Sequence, residues 1–580
     1  MKTKTIKRIL SSFLALWLSF GFIAYPTLVS VAAITATDTS IVTTLSNTKP
    51  NCLVNTIGKD SKNTRVITWQ MPDSVDTGKV RYGKAENKLT ETKDADIIHN
   101  NTAGNSNTMI VSLEGLTPGG TYYYQAGGTD NNWSEVYSFT TDGGGDFSFI
   151  QVTDTQDSIK LGTEWNNFDA MAAAKKEHYH IWGKALSKIL ADSSYSDASF
   201  LMETGDLIEV QNDITEGENE YRWLLNNTDI KDVLGNYAYF PVMGNHDSYS
   251  SAPLFHQFFT TPNKANFATD GVTNNIHNSE ANYSFDYGKA HFIVINSESL
   301  FNQTDIVYKT PLDYNDPQVK AVQDWLINDL QKNENNPDTK WTIVSCHREL
   351  FGTSGRASDA ERTYNAFWKI LSDYGVDLIL QGHSHTYMKT YPQVDNGTGI
   401  SVNAVSGVVA IECGGSGIKQ GPEFSTVYDY IDILDQTGIK QPTYNYITVK
   451  DDKITVKPVY VDNMGMGTVV QAFDHIEIPY TFKPETLTLT PGSNTSEINL
   501  TWYANTDSGD RAEVQFSTDP MFVNGVKTAS SSAVDNATTG KKYYKANVTG
   551  LDHDTTYYYR VSNDGANYSK IYTYKTPVAG

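Results

Sequence analysis

The sequence predicts an α/β domain of two packed sheets held between two all-β sandwiches. Three observations carry that prediction: a repeated order of short β-runs near the two ends, an alternation of buried β-runs with helical stretches between them, and acid, amide and imidazole residues placed after successive β-runs. The chain has 580 residues, enough for several domains, and its 39% hydrophobic and 12% aromatic content can bury real cores. A formal net charge of −22 argues against coating a nucleic acid through a basic face. Cys52, Cys346 and Cys413 are too few and too scattered for a disulfide scaffold or a Cys-rich zinc module.

Residues 1–33 read as a secretory signal peptide. Lys2, Lys4, Lys7 and Arg8 form a basic start, 9–24 is an uncharged and mostly apolar run, and Ser30-Val31-Ala32-Ala33 offers small residues at cleavage spacing. An uncleaved anchor is the alternative. Removal takes away those four cations and no anion, which leaves −26. No later stretch is long or apolar enough for a membrane span, so an exported, secreted and soluble protein is expected.

The span 37–142 forms the first copy of the repeat. Val66-Ile67-Thr68-Trp69 leads to Val80-Arg81-Tyr82, Leu116-Thr117-Pro118 and Thr121-Tyr122-Tyr123-Tyr124. In the span 484–577 the order returns as Leu500-Thr501-Trp502, Val514-Gln515-Phe516, Leu551-Asp552 and Thr556-Tyr557-Tyr558-Tyr559. Short β-runs between Gly, Asn, Asp and Pro turns read as β-sandwiches, each with a core tryptophan against a late strand. Both copies resemble fibronectin type III modules, and the first is also similar to the N-terminal domain of purple acid phosphatases. Such fibronectin-like modules imply contact with a cell surface or a polysaccharide.

Within 146–482 the apolar runs 147–152, 198–202, 238–243, 341–346 and 377–381 suit central strands, and 181–191, 318–331 and 360–372 carry helical periodicity. Runs 408–413, 446–449 and 454–461 add strands and suggest a second sheet. Asp154 and Gln156 follow the first run, Gly205-Asp206 the second, and Gly244-Asn245-His246-Asp247 the third. His347 follows the fourth, and Gly382-His383-Ser384-His385 the fifth. In open α/β sheets ligands bind at that edge. Carboxylates and an amide mixed with imidazoles suit Mn, Zn or Fe, and the preceding glycines let the backbone turn sharply.

This pattern looks like the calcineurin-like metallophosphoesterase superfamily, and with the first sandwich it looks like its purple acid phosphatase branch. The resemblance implies two divalent transition metal ions. Asp154, Gln156 and His385 would hold the first, Asp206 would bridge both, and Asn245, His347 and His383 would hold the second. It further implies in-line attack by a hydroxide shared between the ions, with His246 as the acid at the leaving group and Asp247 orienting or charging it. Two departures stand out. Gln156 replaces the histidine of the wider family's first motif, either as an amide ligand or as a turn residue. Glu209 stands where purple acid phosphatases place the tyrosine of their coloured iron bond, so no purple colour is expected.

The lead expectation is a secreted phosphoesterase acting on small phosphorylated substrates, phosphomonoesters or nucleotides. A phosphodiesterase with the same metal core, a degenerate surface-binding or adhesive protein, and a nuclease are the rivals. Arg348 reads either as a bidentate phosphate ligand or as half of an ion pair. The Gly414-Gly415-Ser416-Gly417 loop could line the pocket. His178 and His180 read as solvated, and Cys346 as a buried strand thiol.

Overall fold

In a computed structural model of the chain, the described residues are 45, 49–100, 105–127, 132–157, 168–210, 213–248, 252–266, 281–302, 310–334, 336–353, 357–419, 421, 427–435, 441–504, 511–536 and 541–579. The signal-peptide reading falls outside them. No helix among the described residues is long and apolar enough to cross a membrane.

Two seven-stranded sheets form the centre. In the first, Phe147–Val152, Ala198–Glu203 and Ala238–Pro241 run parallel to one another. Thr443–Val449 and Lys453–Val461 extend it antiparallel. In the second, Ala290–Ile295, Trp341–Cys346, Leu378–Gln381 and Val409–Cys413 are parallel neighbours. The parallel runs among these are buried almost throughout because both of their faces are covered, whereas Lys453–Val461 alternates between buried and half-buried positions. Between the sheets an aromatic layer packs tightly. Phe149 stacks on Phe200 at 4.8 Å and meets Phe292 edge-on at 5.5 Å. Helices Phe168–Ala191 and Ile214–Leu225 cover one outer face, and Pro317–Glu334 and Ala357–Asp373 the other.

The helix Phe168–Ala191 begins well before the expected 181. His178 and His180 therefore lie on a half-buried helix, not in a solvated insertion, and His180 pairs with Asp229.

Both ends are two-sheet sandwiches with buried Trp69 and Trp502. In each, a tyrosine hydroxyl reaches back to the backbone, Tyr122 accepting from Thr117 N at 2.9 Å and Tyr557 from Asp552 N at 3.0 Å. This is the tyrosine corner of immunoglobulin-like sandwiches. The copies differ where the chain changes sheets. The first uses two strands, Glu91–Asp94 and Asp96–Asn100, and the second a continuous Lys527–Asn536 that pairs on both sides.

Candidate metal centre

Each candidate side chain lies just past the C-terminal end of a parallel strand, so five separate segments deliver to one edge. The backbone there is unusual. Asp154, Asp206, His383 and His385 take φ of 50°, 57°, 85° and 56°, a left-handed region that side chains other than glycine seldom enter. Of the glycines expected to make the sharp turns, only Gly205 has such an angle itself, at 103°. Gly244 and Gly382 act through space instead. A Cβ on Gly244 would sit 2.2 Å from Asp206 N, and one on Gly382 2.2 Å from Thr153 Oγ1.

Two side-chain groups meet and share a member. One donor atom each from Asp206, His347 and His383 lie within 4.8 Å of one another, and so do atoms from Asp154, Asp206 and His385. All five residues are buried. Asn245 Oδ1 lies 3.2 Å from His347 Nε2, which brings the amide to the first group. Gln156 Nε2 donates to Asp206 Oδ2 at 3.1 Å, and its buried Oε1 has no hydrogen-bond partner among the described residues. A half-turn of that amide would set the oxygen toward the shared carboxylate, where a cation could use it.

Main-chain carbonyls fix three of the four imidazoles. Nδ1 of His347 donates to Thr204 O at 3.0 Å, Nδ1 of His385 to Lys419 O at 3.0 Å, and Nδ1 of His246 to Glu209 O at 2.6 Å. Each bond sets the tautomer and leaves Nε2 toward the carboxylates. Those Nε2 atoms lie 3.2 Å from Asp206 Oδ2, 3.1 Å from Asp154 Oδ1 and 3.8 Å from Asp206 Oδ2 respectively. His383 is held differently, its Nε2 meeting the carboxylate of Asp359 at 3.0 Å.

Electrostatics favour positive charge here. Burial alone would push the Asp206 carboxyl up, yet His347 and His246 hold it well below the usual range. The effect is reciprocal. Burial would lower His347, but Asp206 and then Asp154 raise it to about 10. A field that holds a proton this firmly would hold a divalent cation too. With carboxylate, amide and imidazole donors converging, the residues present fit metal ions of the Mn, Zn or Fe kind.

One expectation needs correcting. Asp247 does not orient His246. Its carboxylate accepts from the backbone N–H of Asp206 at 2.8 Å, Gly244 at 2.9 Å and Leu207 at 3.1 Å, and from Tyr221 Oη at 2.9 Å. It shapes the Asp206 turn. Burial, and then the adjacent Asp206, push its carboxyl up to about 7 despite those donors.

Arg348 resolves as an ion pair, with Nε on Glu298 Oε1 at 2.6 Å and Nη1 on Asp359 Oδ2 at 2.7 Å. The buried Glu209 takes Lys419 Nζ on Oε2 at 2.9 Å. The 414–417 loop braces the first motif, with Ser416 N donating to Thr153 O at 2.8 Å. Cys346 is buried, as expected. Sequence reading missed Asp359, Lys419 and Glu412, the last of which accepts from Ser384 N at 3.0 Å between the two histidines. Glu412 lies within the strand Val409–Cys413, and no local sequence pattern singles it out.

Comparison with known proteins agrees with this geometry. Residues 147–387 match the family model described as calcineurin-like phosphoesterase. The central domain is a calcineurin-like phosphoesterase. Residues 50–141 and 484–576 both match the model for the purple acid phosphatase N-terminal domain, so the two sandwiches are copies of one module. Acid phosphatase type 7 of Mus musculus is 25% identical over 309 residues, which cover 50% of this chain and 59% of the relative. Acid phosphatase A of Cryphonectria parasitica is 24% identical over 375 residues, 56% of this chain and 72% of the relative. A protein of Arabidopsis thaliana named "Probable inactive purple acid phosphatase 9" is 23% identical over 346 residues, 53% of this chain and 48% of the relative. The chain thus spans about three-fifths of the mouse relative's length. Its calcineurin-like phosphoesterase domain presents a donor set that fits metal ions.

Proposed function

We propose that this protein is a secreted phosphatase with a two-ion centre, acting on small phosphomonoesters or nucleotides. The supporting observation is that Asp206 belongs to both donor groups. Asp154, Gln156 and His385 would hold one ion, Asn245, His347 and His383 the other, and Asp206 would join them. Residues 146–482 form the catalytic unit in this reading, between modules at 37–142 and 484–577 and after a signal peptide at 1–33. The acid phosphatase relatives support a phosphoester substrate.

Bound there, a pair of divalent ions supplies Lewis acidity toward phosphoryl oxygens and lowers the pKa of water from 15.7 to about 7. The chain does the rest. Asp154 and Asp206, fixed by their turns, set where substrate oxygens can approach. His246 has Nδ1 tied to the Glu209 carbonyl, so it is Nε2 that would take up a proton from solvent and, in the imidazolium form, deliver it to the leaving oxygen. Asp247 keeps the Asp206 backbone in place beside it.

The test is hydrolysis of p-nitrophenyl phosphate and of its bis-ester by the full chain, with and without chelator. Monoester turnover that a chelator abolishes and Mn(II) or Zn(II) restores is the expected result. Chelator-insensitive turnover would overturn the scheme, and preference for the bis-ester would favour the phosphodiesterase. Gln156 and Glu209, both departures from the family pattern, favour a second reading in which catalysis is lost and the sandwiches bind a surface. In that case His383→Ala changes neither metal content nor turnover.

A further inference from the structure

Of the four imidazoles at the centre, three are anchored by backbone carbonyls and one, His383, by a side chain. That side chain, Asp359, stands near the start of the helix Ala357–Asp373 and carries no family motif. Its Oδ2 accepts from both His383 Nε2 at 3.0 Å and Arg348 Nη1 at 2.7 Å. Arg348 is held in turn by Glu298, through Nε at 2.6 Å and Nη2 at 3.3 Å, and its guanidinium lies 4.4 Å over the Phe301 ring. Glu298 is itself buried in a 3-10 turn that Asn296 caps by accepting from Glu298 N at 3.0 Å. A chain of charge-assisted bonds therefore runs from the end of one central strand to the His383 ring.

We infer that Asp359 is a positioning residue for the second ion. By engaging Nε2 it turns Nδ1 of His383 to the metal, while Arg348, the residue after the ligand His347, holds Asp359 in register. Arg348 thus ties the His383 ring to the strand end that carries His347. Their rings lie 5.1 Å apart and 73° to each other, so a small swing of His383 would change the donor geometry. Carboxylates behind metal-bound histidines fix ring orientation and raise ligand basicity, and their loss costs ~10–100-fold in affinity. The inference rests on the two-ion reading of the site.

Calorimetric titration of metal-stripped protein with Mn(II) tests it, followed by electron paramagnetic resonance of the loaded protein. Wild type should take up two ions and show the multiline signal of a coupled Mn(II) pair. In Asp359→Asn one binding step should weaken ~10–100-fold while the other holds, and the coupled signal should give way to that of a single ion. Asp359→Glu should restore part of both. Arg348→Lys, which keeps the charge but loses the fork, should move the same step in the same direction and serves if Asp359→Asn fails to fold. The positioning role is overturned if both steps match wild type, or if both weaken together with a fall in thermal stability of the stripped protein. Wild type that binds no ion overturns the two-ion reading itself.

Discussion

Asp154, Asp206, His383 and His385 carry left-handed backbone that costs of order 1–3 kcal/mol each, so the surrounding contacts must over-determine them. Asp247 is the clearest such contact, gathering three backbone N–H groups and the Tyr221 hydroxyl on one carboxylate. Asp247→Asn replaces acceptor lone pairs with an N–H₂ that faces donors. We expect it to destabilise the fold by about 2–3 kcal/mol in urea unfolding and to lower metal affinity in calorimetry. Wild-type affinity with normal stability would remove Asp247 from the supporting shell. At this scale the residues that converge on the centre were legible, because each follows a glycine or stands at a strand end. Asp359, Lys419 and Glu412 were not. Their roles come from approach in space, and nothing in their local sequence marks them.

The strands show the same division between pattern and packing. Runs 147–152 and 341–346 coincide with strands Phe147–Val152 and Trp341–Cys346 because parallel strands buried on both faces are rich in apolar residues, and these two carry no charge. The start of Phe168–Ala191 was missed for a specific reason. Met171, Lys175, Tyr179, Trp182, Leu186 and Ile189 all lie on its buried face, and the lysine breaks the apolar stripe. Lys175 is tolerated there because Asp157 at 3.3 Å and Glu220 at 2.5 Å neutralise it. A second ionic clamp, away from the centre, joins the strand Ala290–Ile295 to the helix Pro317–Glu334. His291 lies 2.6 Å from Asp286 and 2.8 Å from Asp329. Burial would lower its pKa, but the two carboxylates raise it from 6.5 to about 9. The folded state thus binds this proton more tightly than the unfolded one. Its contribution is complete below pH 6.5 and disappears as pH rises through 9. With Asp286 half exposed, a gain of about 2 kcal/mol is reasonable. Thermal melts should therefore separate wild type from His291→Gln at pH 6 and bring them together by pH 10. A gap that persists at pH 10 would assign the effect to packing instead of charge.

In the whole molecule, the repeat was visible as a repeated order of residues, but the two copies dock unequally and the sequence holds no trace of that. Cys52 and Val54 of the first sandwich belong to the same buried cluster as Trp182, Tyr221 and Leu224 of the central domain's helices. Tyr124 Oη donates to Gly235 O at 2.7 Å, and a Cβ on Gly235 would lie 2.5 Å from the Tyr137 ring. The second sandwich meets the central domain through a smaller apolar cluster, Val394, Ala404, Tyr558 and Ile571, together with polar bonds such as Thr573 Oγ1 to Asp395 O at 2.7 Å. Apolar area removed from water sets most of the docking energy at roughly 25 cal/mol per Å². A chain ending at 483 should therefore keep its metal content and most of its phosphatase turnover, with a melting temperature lower by a few degrees. A chain beginning at 146 exposes the flank of Ile214–Leu225, the helix whose Tyr221 supports Asp247, and should lose ion binding and cooperative unfolding together. Equal behaviour of the two truncations would mean that the central sheets hold the centre unaided, and that the first sandwich is no more part of it than the second.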